Sequence, residues 1–361
     1  MQKIGVYLGK NPLTVFLLAI PLAILAEVFN FGPAWVFAFS ALGVIPLAGY
    51  IGEATEALAV YTGPKVGGLL NATLGNAAEL IITLTAIKAG LLDLVKASIT
   101  GSILGNLLLV LGFAMVMGGA RHGVQRFDRR QTSNHVVLLA LTIIALVIPS
   151  LFSQFIGTNS DPKVEALSLG VAIVMMVLYV IGLIYSLKYT SPVTYEPSKE
   201  ERRHPAYNKR NSLIILAIST GGVVWMSELL VGATEHVVSS LGLSEFFLGI
   251  ILIPIVGNVS EHLVAVQVAL RNKMELSVEI AVSSSLQVAL FVAPLLVFIS
   301  LWVGNPLQLI FNQFELLGLG AAVIITALVA SDGESNWLEG SALLAVYVIL
   351  GLAFFLLPGI K

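Results

Sequence analysis

Residues 75–79 read Gly-Asn-Ala-Ala-Glu inside a long apolar stretch, and residues 257–262 repeat the pattern as Gly-Asn-Val-Ser-Glu-His. Both segments contain Gly-Asn-x-x-Glu, and their glutamates, Glu79 and Glu261, lie 261 − 79 = 182 residues apart. A carboxylate in the hydrocarbon region of a bilayer costs about 2.5–3.5 kcal/mol on insertion scales, so it persists where it is paired or functional. The repeated motif therefore predicts one site built from two related halves of the chain.

The composition around these motifs is that of a membrane protein. Hydrophobic residues make up 57% of the 361 residues and charged residues only 11%, whereas soluble proteins carry about 25% charged residues. The formal net charge of −2 offers no basic field for nucleic acid, and the absence of cysteine excludes disulfides and thiolate chemistry. The start of the chain, with Lys3 and Lys10 before an apolar run, is interpreted as a retained first span.

The fold class predicted by the apolar runs is an all-α membrane protein with about eleven transmembrane helices. A bilayer core takes about 20 apolar residues as helix. The runs lie at about 12–30, 33–62, 65–89, 92–118, 134–156, 164–188, 211–241, 243–271, 274–302, 309–331 and 337–358.

The distribution of positive charge favours one orientation in the membrane. Cytoplasmic loops carry an excess of Lys and Arg. With the N-terminus in the cytoplasm and the C-terminus outside, 19 − 4 = 15 of the Lys and Arg residues fall on the cytoplasmic side. The four others are Lys88, Lys96, Lys163 and Lys361. Short loops and the lack of a targeting signal favour a prokaryotic plasma membrane.

A polar segment in the middle of the chain divides the spans into two groups of five. The predicted units are an N-terminal transmembrane helix, a first five-helix repeat, a cytoplasmic linker and a second five-helix repeat, at residues 1–32, 33–188, 189–210 and 211–361. Because five is odd, the second repeat enters the membrane in the opposite sense. Transporters with such inverted repeats place their substrate site near the midplane, where the repeats meet.

The residue types in the two motifs favour a hard cation. Pro254, three residues before Gly257, frees a backbone carbonyl, and broken helices in transporters offer such oxygens to ions. With amide and carboxylate oxygens, two facing motifs supply the six to eight oxygens that Ca²⁺ takes. The predicted metal ligands are Glu79, Glu261, Asn76, Asn258, Gly75, Gly257, Ser102, Ser284 and Gln287. Small residues such as the serines alternatively serve close helix packing.

Charge balance predicts the kind of transport. One Ca²⁺ neutralises Glu79 and Glu261 together, and after its release burial and like charge favour protonation of the two carboxylates. Both loaded forms are then neutral, which predicts secondary active exchange of one Ca²⁺ for nominally two protons. A passive divalent-cation channel, which needs a continuous pore, is the alternative of another class. No nucleophile accompanies the carboxylates, so neither an enzyme nor a cofactor is expected.

Three further titratable residues have two interpretations each. His262 either relays protons, since histidine titrates near neutrality, or accepts one hydrogen bond from another helix. Glu53 and Glu235, which match at the offset of 182 residues, either line an access path or are solvated helix ends.

These motifs resemble those of the calcium:proton antiporters, the cation/proton exchanger branch of the cation/calcium exchanger superfamily. The resemblance spans nearly the whole chain and includes Thr-Gly-Ser-Ile-Leu-Gly-Asn at 100–106 and Ser-Ser-Ser-Leu-Gln at 283–287. It implies that Glu79 and Glu261 coordinate the ion and exchange protons. A sodium/calcium exchanger is the nearest alternative, but members of that group tend to carry an acidic residue in the region of Gln287. The expected partners are Ca²⁺, H⁺ and the lipid bilayer, and the oligomeric state is left open.

Overall fold

The computed structural model describes residues 12–156, 162–189 and 207–357 of the chain. These residues form helices and one short β-ribbon. The first-half helices are α1 Ala19–Val28, preceded by a 3₁₀ turn at Pro12–Leu18, α2 Pro33–Thr62, α3 Pro64–Leu74, α4 Ala77–Lys88, α5 Leu92–His122, α6 Arg129–Ile156 and α7 Pro162–Tyr189. The second-half helices are α8 Lys209–Leu241, α9 Glu245–Leu270, α10 Met274–Val303, α11 Gln313–Val329 and α12 Trp337–Leu356.

The helices have the length and surface of membrane spans. Within the described ranges, eight of them are long and apolar enough to cross a bilayer, namely α2, α5, α6, α7, α8, α9, α10 and α12. Large apolar side chains such as Ile181, Leu328 and Leu356 are exposed on outward faces. A helical chain with such a surface is an integral membrane protein, because lipid can cover apolar side chains and each helix satisfies its own backbone.

The span expected at 65–89 is two helices rather than one. α3 ends at Leu74 and α4 begins at Ala77, so the break falls on Gly75 and Asn76 of the first motif. Asn76 has a φ of −95° and a ψ of 21°, which is outside the helical range. The helix is therefore broken in the first motif, where no proline is present.

The break expected around Pro254 does not occur, because α9 continues through the second motif. The turn before the proline, Leu248–Leu252, is instead widened to a π-helical turn. Proline cannot donate to the carbonyl of Ile250, four residues earlier. That carbonyl oxygen lies against α5, where a Cβ on Gly101 would collide with it. The freed carbonyl is thus covered by another helix and is not offered to an ion.

Two further π-helical turns occur in the helices that follow the motifs. They lie at Gly105–Val110 in α5 and Val288–Val292 in α10. Such turns shift the side chains after them and are frequent near functional sites.

A two-stranded antiparallel ribbon joins the two halves at one end of the molecule. Strand β1, Gln125–Arg126, lies between α5 and α6, and strand β2, Glu334–Ser335, lies between α11 and α12. Nε2 of Gln125 also donates a hydrogen bond of 3.0 Å to the backbone carbonyl of Ala269, at the end of α9. The ribbon therefore ties the end of α5 to the end of α9.

Candidate ion-binding site

The two Gly-Asn-x-x-Glu motifs meet in the interior, and each glutamate lies against the glycine of the other motif. A Cβ placed on Gly257 would lie 3.4 Å from Cγ of Glu79. A Cβ placed on Gly75 would lie 3.6 Å from Oε1 of Glu261. The missing side chain of each glycine thus makes room for the carboxylate contributed by the opposite half.

The two carboxylates differ in their surroundings. Glu79 is 4% exposed, whereas Glu261 is only partly buried. Oε2 of Glu261 accepts a hydrogen bond of 2.8 Å from Oγ of Ser284. Oε1 of Glu79 and Oδ1 of Asn76 are buried and have no hydrogen-bond partner among the described residues. Buried oxygens without a donor are unusual, and they are the type of ligand that a hard cation takes.

The asparagine of each motif bonds to the helix that follows the other motif. Nδ2 of Asn76 donates to Oε1 of Gln287 at 2.7 Å. Nδ2 of Asn258 donates to Oγ of Ser102 at 3.3 Å and to the carbonyl of Pro254 at 3.1 Å. These bonds fix both amide groups, and they bring the predicted ligands of both halves into one polar cluster.

Asn106 belongs to this cluster but is absent from the ligands predicted from the sequence. Its Nδ2 donates to Oγ of Ser284 at 3.1 Å, and Ser284 in turn donates to Glu261. Asn106 is 1% exposed and lies in the widened turn of α5. A third Gly-Asn pair in an apolar helix, Gly105-Asn106, was the signal in the sequence.

His262 follows Glu261 on α9. Its Nε2 is buried and has no hydrogen-bond partner within the described ranges, so the hydrogen bond expected from another helix is not found at this nitrogen. A role in proton relay stays a prediction.

Glu53 and Glu235 do not reach the cluster and do not lie together. Glu53 is half-buried and accepts a hydrogen bond of 2.9 Å from the hydroxyl of Tyr207, which precedes α8. Glu235 is exposed near the other end of α8. Helices α2 and α8 are antiparallel, with Gly43 against Met226 and Leu47 against Gly222, so Glu53 lies level with about residue 216 of α8. At 1.5 Å per helical residue, Glu235 is roughly 30 Å farther along that helix. They therefore belong to opposite ends of the molecule rather than to one entrance.

The cluster contains few charged ligands for a cation. No group of three or more His, Asp or Glu residues able to hold a metal ion is found in the part of the chain that the structure describes. The two carboxylates must therefore be supplemented by amide, hydroxyl or backbone oxygens to complete a shell of six or more.

Comparisons with known proteins cover almost the whole chain. The family model described as sodium/calcium exchanger protein matches residues 32–188 and 211–356. The unmatched segment between them coincides with the predicted linker, whose residues 190–206 lie outside the described ranges.

Two curated relatives and two solved structures are similar to the chain over more than nine-tenths of their lengths. A Ca(2+)/H(+) antiporter of Aphanothece halophytica is 42% identical, covering 97% of this chain and 98% of the relative. The Ca(2+)/H(+) antiporter ChaA of Bacillus subtilis is 43% identical, covering 94% and 97%. The structure of native YfkE has a TM-score of 0.84 at 39% identity, covering 96% of this chain and 100% of that chain. The crystal structure of the H+/Ca2+ exchanger CAX, with a TM-score of 0.74 at 16% identity over 96% and 92% of the two chains, shows the shared fold.

Proposed function

Because the chain belongs to the sodium/calcium exchanger protein family, we propose that it is a secondary active antiporter that exchanges Ca²⁺ for H⁺ by alternating access. One observation carries the proposal: each motif glutamate lies against the glycine of the other motif, so that two carboxylates from different halves share one pocket. Two carboxylates balance either one Ca²⁺ or two protons, and a neutral pocket crosses the low-dielectric interior at the lowest cost.

Protons are favoured over sodium as the counter-ion. The residue that meets Asn76 from α10 is the neutral amide Gln287, at 2.7 Å, where a third carboxylate would give the Ca²⁺-loaded pocket a net negative charge. Relatives that are 42–43% identical to the chain are named Ca(2+)/H(+) antiporters, which supports the same choice.

The proposed ligands begin with the buried oxygens that lack donors. Oε1 of Glu79 and Oδ1 of Asn76 would bind Ca²⁺ directly, together with the carboxylate of Glu261. The rest of the shell would come from the neighbouring polar and backbone groups of Gly75, Gly257, Asn258, Ser102, Ser284 and Gln287.

The proposed membrane arrangement has eleven spans in two inverted repeats. The eight long helices, the shorter apolar helices α1 and α11, and the broken pair α3–α4 give 8 + 2 + 1 = 11 spans. The repeats would be α2–α7 and α8–α12, with α1 unpaired. Support comes from the widened turns of α5 and α10, which begin at 105 and 288, close to the motif offset of 182 residues.

The proposed orientation places the N-terminus in the cytoplasm and the C-terminus outside, in a prokaryotic plasma membrane. Part of the charge pattern behind it lies outside the described residues, namely Lys3 and Lys10, most of the linker, and Lys361. The predicted N-terminal unit 1–32 is likewise described only from residue 12 onward.

Proteoliposomes test the function directly. A pH gradient should drive ⁴⁵Ca²⁺ uptake by the unchanged chain, and a sodium gradient at clamped pH should not. Glu79→Gln and Glu261→Gln should each abolish uptake while the melting temperature in detergent is retained. Glu334→Gln, which alters an exposed carboxylate of the ribbon, is the control and should transport normally.

Three results would contradict the proposal. Uptake driven by sodium at clamped pH would show a sodium/calcium exchanger. Ca²⁺ flux that runs only down its own gradient and never against it would show a channel. Wild-type uptake by either glutamate variant would show that the two carboxylates do not act as one site.

A further inference from the structure

A third carboxyl group is buried in the molecule outside the ion-binding cluster. Glu315, in the first turn of α11, is 2% exposed. Its Oε1 accepts a hydrogen bond of 3.3 Å from Oγ1 of Thr100 on α5, and its Oε2 accepts one of 2.8 Å from the backbone N–H of Asn312. Since a buried carboxylate is costly unless it is paired or neutralised, the placement of Glu315 requires an explanation.

Helix capping alone does not explain it. Asn312 and Glu315 form a capping box at the start of α11, and Asn336 and Glu339 form the same box at the start of α12. Glu339 makes its capping bonds while partly exposed to solvent. The chemistry of the cap therefore needs no burial and no contact with a second helix, and Glu315 has both.

A cavity of about 330 Å³ lies near the start of α11, lined by Leu307, Gln308 and Ile310 from the segment before that helix and by residues at the start of α5. Asp93, Lys96 and Glu245 are its charged lining residues. Asp93, Lys96 and Thr100 are spaced i, i+3 and i+7 on α5, so they lie on one face of that helix. This face leads from the cavity to the hydroxyl that bonds Glu315, with the Asp93–Lys96 ion pair of 2.6 Å at its outer end.

Three helices, α5, α6 and α12, pack against α11, which carries Glu315, and against the segment before it. Asp93 and Lys96 of α5 are the charged groups of the described residues that act on it electrostatically. α6 contributes the hydroxyl of Ser150, which accepts from the backbone N–H of Phe311. α12 contributes apolar side chains that pack beside α11, among them Phe354. A change of protonation at Glu315 is therefore felt mainly by the α5 face that lines the cavity.

The opposite end of the molecule has a corresponding arrangement. Glu279 on α10 accepts a hydrogen bond of 3.0 Å from Nε2 of Gln131 on α6 and lies 3.5 Å from Nδ1 of His135. Under the proposed repeat, Glu315 corresponds to residue 315 − 182 = 133, which lies between Gln131 and His135. At one end Glu279 of α10 thus lies against α6, and at the other end Glu315 of α11 lies against α5.

We propose that Glu315 is a proton-carrying residue of the exchange, serving the end of the molecule at which this cavity opens. The inference rests on the proposed Ca²⁺/H⁺ exchange. The carboxylate takes a proton from the cavity side and becomes the neutral acid, and it gives that proton to the motif carboxylates as Ca²⁺ leaves them. In the reverse direction Glu315 accepts the proton that the motif carboxylates release when Ca²⁺ binds, and it passes this proton to the cavity. Ca²⁺ itself binds at the motif glutamates and does not use this group.

Two transport reactions separate this role from a structural one. Uptake of ⁴⁵Ca²⁺ driven by a pH gradient requires proton movement, whereas exchange of ⁴⁵Ca²⁺ for unlabelled Ca²⁺ at equal pH does not. Glu315→Gln keeps the acceptor oxygen for capping but cannot carry the proton. We expect it to lower proton-driven uptake about tenfold or more, a modest share of what positioned proton-transfer groups contribute. The rate of Ca²⁺/Ca²⁺ exchange should stay within about twofold of that of the unchanged chain, because this reaction needs no proton transfer.

Glu339→Gln is the matched control, because it makes the same chemical change in the other capping box. It should leave both reactions unchanged. Thr100→Val, which removes the buried hydroxyl that bonds Glu315, is the second variant if Glu315→Gln folds poorly. It should also reduce proton-driven uptake more than Ca²⁺/Ca²⁺ exchange.

The inference is overturned if Glu315→Gln loses both reactions together, which would indicate a structural role, or if it keeps both at the level of the unchanged chain. An unchanged chain that catalyses Ca²⁺/Ca²⁺ exchange but takes up no Ca²⁺ with a pH gradient would instead refute the proposed function, and the role of Glu315 with it.

Discussion

Replacing Ser284 by alanine tests whether the polar cluster controls the affinity of the carboxylates for Ca²⁺. The hydroxyl of Ser284 donates to Oε2 of Glu261 at 2.8 Å and accepts from Nδ2 of Asn106 at 3.1 Å. Its neighbour Ser285 is also buried but donates only to the carbonyl of Ala281 in its own helix, at 2.9 Å. Ser284→Ala and Ser285→Ala therefore remove the same atoms from adjacent positions with different partners.

The size of the effect follows from the hydrogen bond to the charged group. Such bonds contribute about 1.5–3 kcal/mol, and the lower value applies because Glu261 is only partly buried. A loss of about 1.5 kcal/mol corresponds to roughly a tenfold weaker binding of Ca²⁺. The bond stabilises the ionised carboxylate, which is the form that binds the metal, so protons compete better without it. The loss should therefore be larger at pH 6 than at pH 8.

A second consequence concerns stability. In Ser284→Ala the amide of Asn106, which is 1% exposed, loses its acceptor. A buried donor without a partner costs about 1–3 kcal/mol, so the melting temperature in detergent should fall below that of Ser285→Ala.

The assay is the Ca²⁺ concentration for half-maximal uptake in proteoliposomes, measured at several pH values for both variants. Ser285→Ala should match the unchanged chain within about twofold, because its hydroxyl bonds only to its own helix. Equal affinities for the two alanine variants at every pH would refute the reasoning, since they would show that the Ser284 hydroxyl does not act on Glu261.

Two further predictions concern packing and surface charge. Gly101→Ala places a methyl group against the carbonyl oxygen of Ile250, so we expect overpacking to cost about 1–3 kcal/mol of stability, measured as a lower melting temperature. Gly105→Ala is the control, because a Cβ at Gly105 meets no atom within 4 Å. Equal melting temperatures of the two variants would contradict the close approach of α5 and α9. Arg126→Ala removes an exposed ion pair of 3.0 Å with Glu334. We expect this variant to lose less than about 1 kcal/mol of stability, with little change in melting temperature. A large fall in melting temperature would contradict this expectation and show that the ribbon is important to the fold.

The membrane class and the meeting of the two motifs could be predicted from the sequence, because burying apolar side chains and placing a carboxylate in the membrane both involve large free energies. A glutamate in apolar sequence is costly, and a repeat of the whole motif around it leaves few alternatives to a shared site. The contacts of Glu79 with Gly257 and of Glu261 with Gly75 agree with that prediction.

The local response of the helices could not be predicted in the same way. A proline removes one donor, but whether the helix breaks or widens depends on what covers the freed carbonyl. Here Gly101 of α5 lies against the carbonyl of Ile250, and the turn before Pro254 widens without a break. That contact joins residues 250 − 101 = 149 positions apart, so the spacing of residues within one helix, from which helices are predicted, carries no information about it.

The same limitation explains why Asn106 and Glu315 were not among the predicted site residues. Both lie on the inner faces of apolar helices, where a polar side chain is as compatible with helix packing as with function. Their partners, Ser284 and Thr100, belong to the other half of the chain in each case. Only the three-dimensional arrangement distinguishes them from other buried polar residues.

The symmetry of the two motifs does not extend to a symmetric site. At the repeat offset Gln287 corresponds to Gly105, so Asn76 has an amide partner on α10, whereas Asn258 bonds to Ser102. Ser284 donates to Glu261, but Oε1 of Glu79 is buried without a donor in the described part of the chain. Oε1 of Glu79 is therefore free for a bound cation, whereas Oε2 of Glu261 has a protein donor. Two copies of one motif thus give two carboxylates whose surroundings are not equivalent.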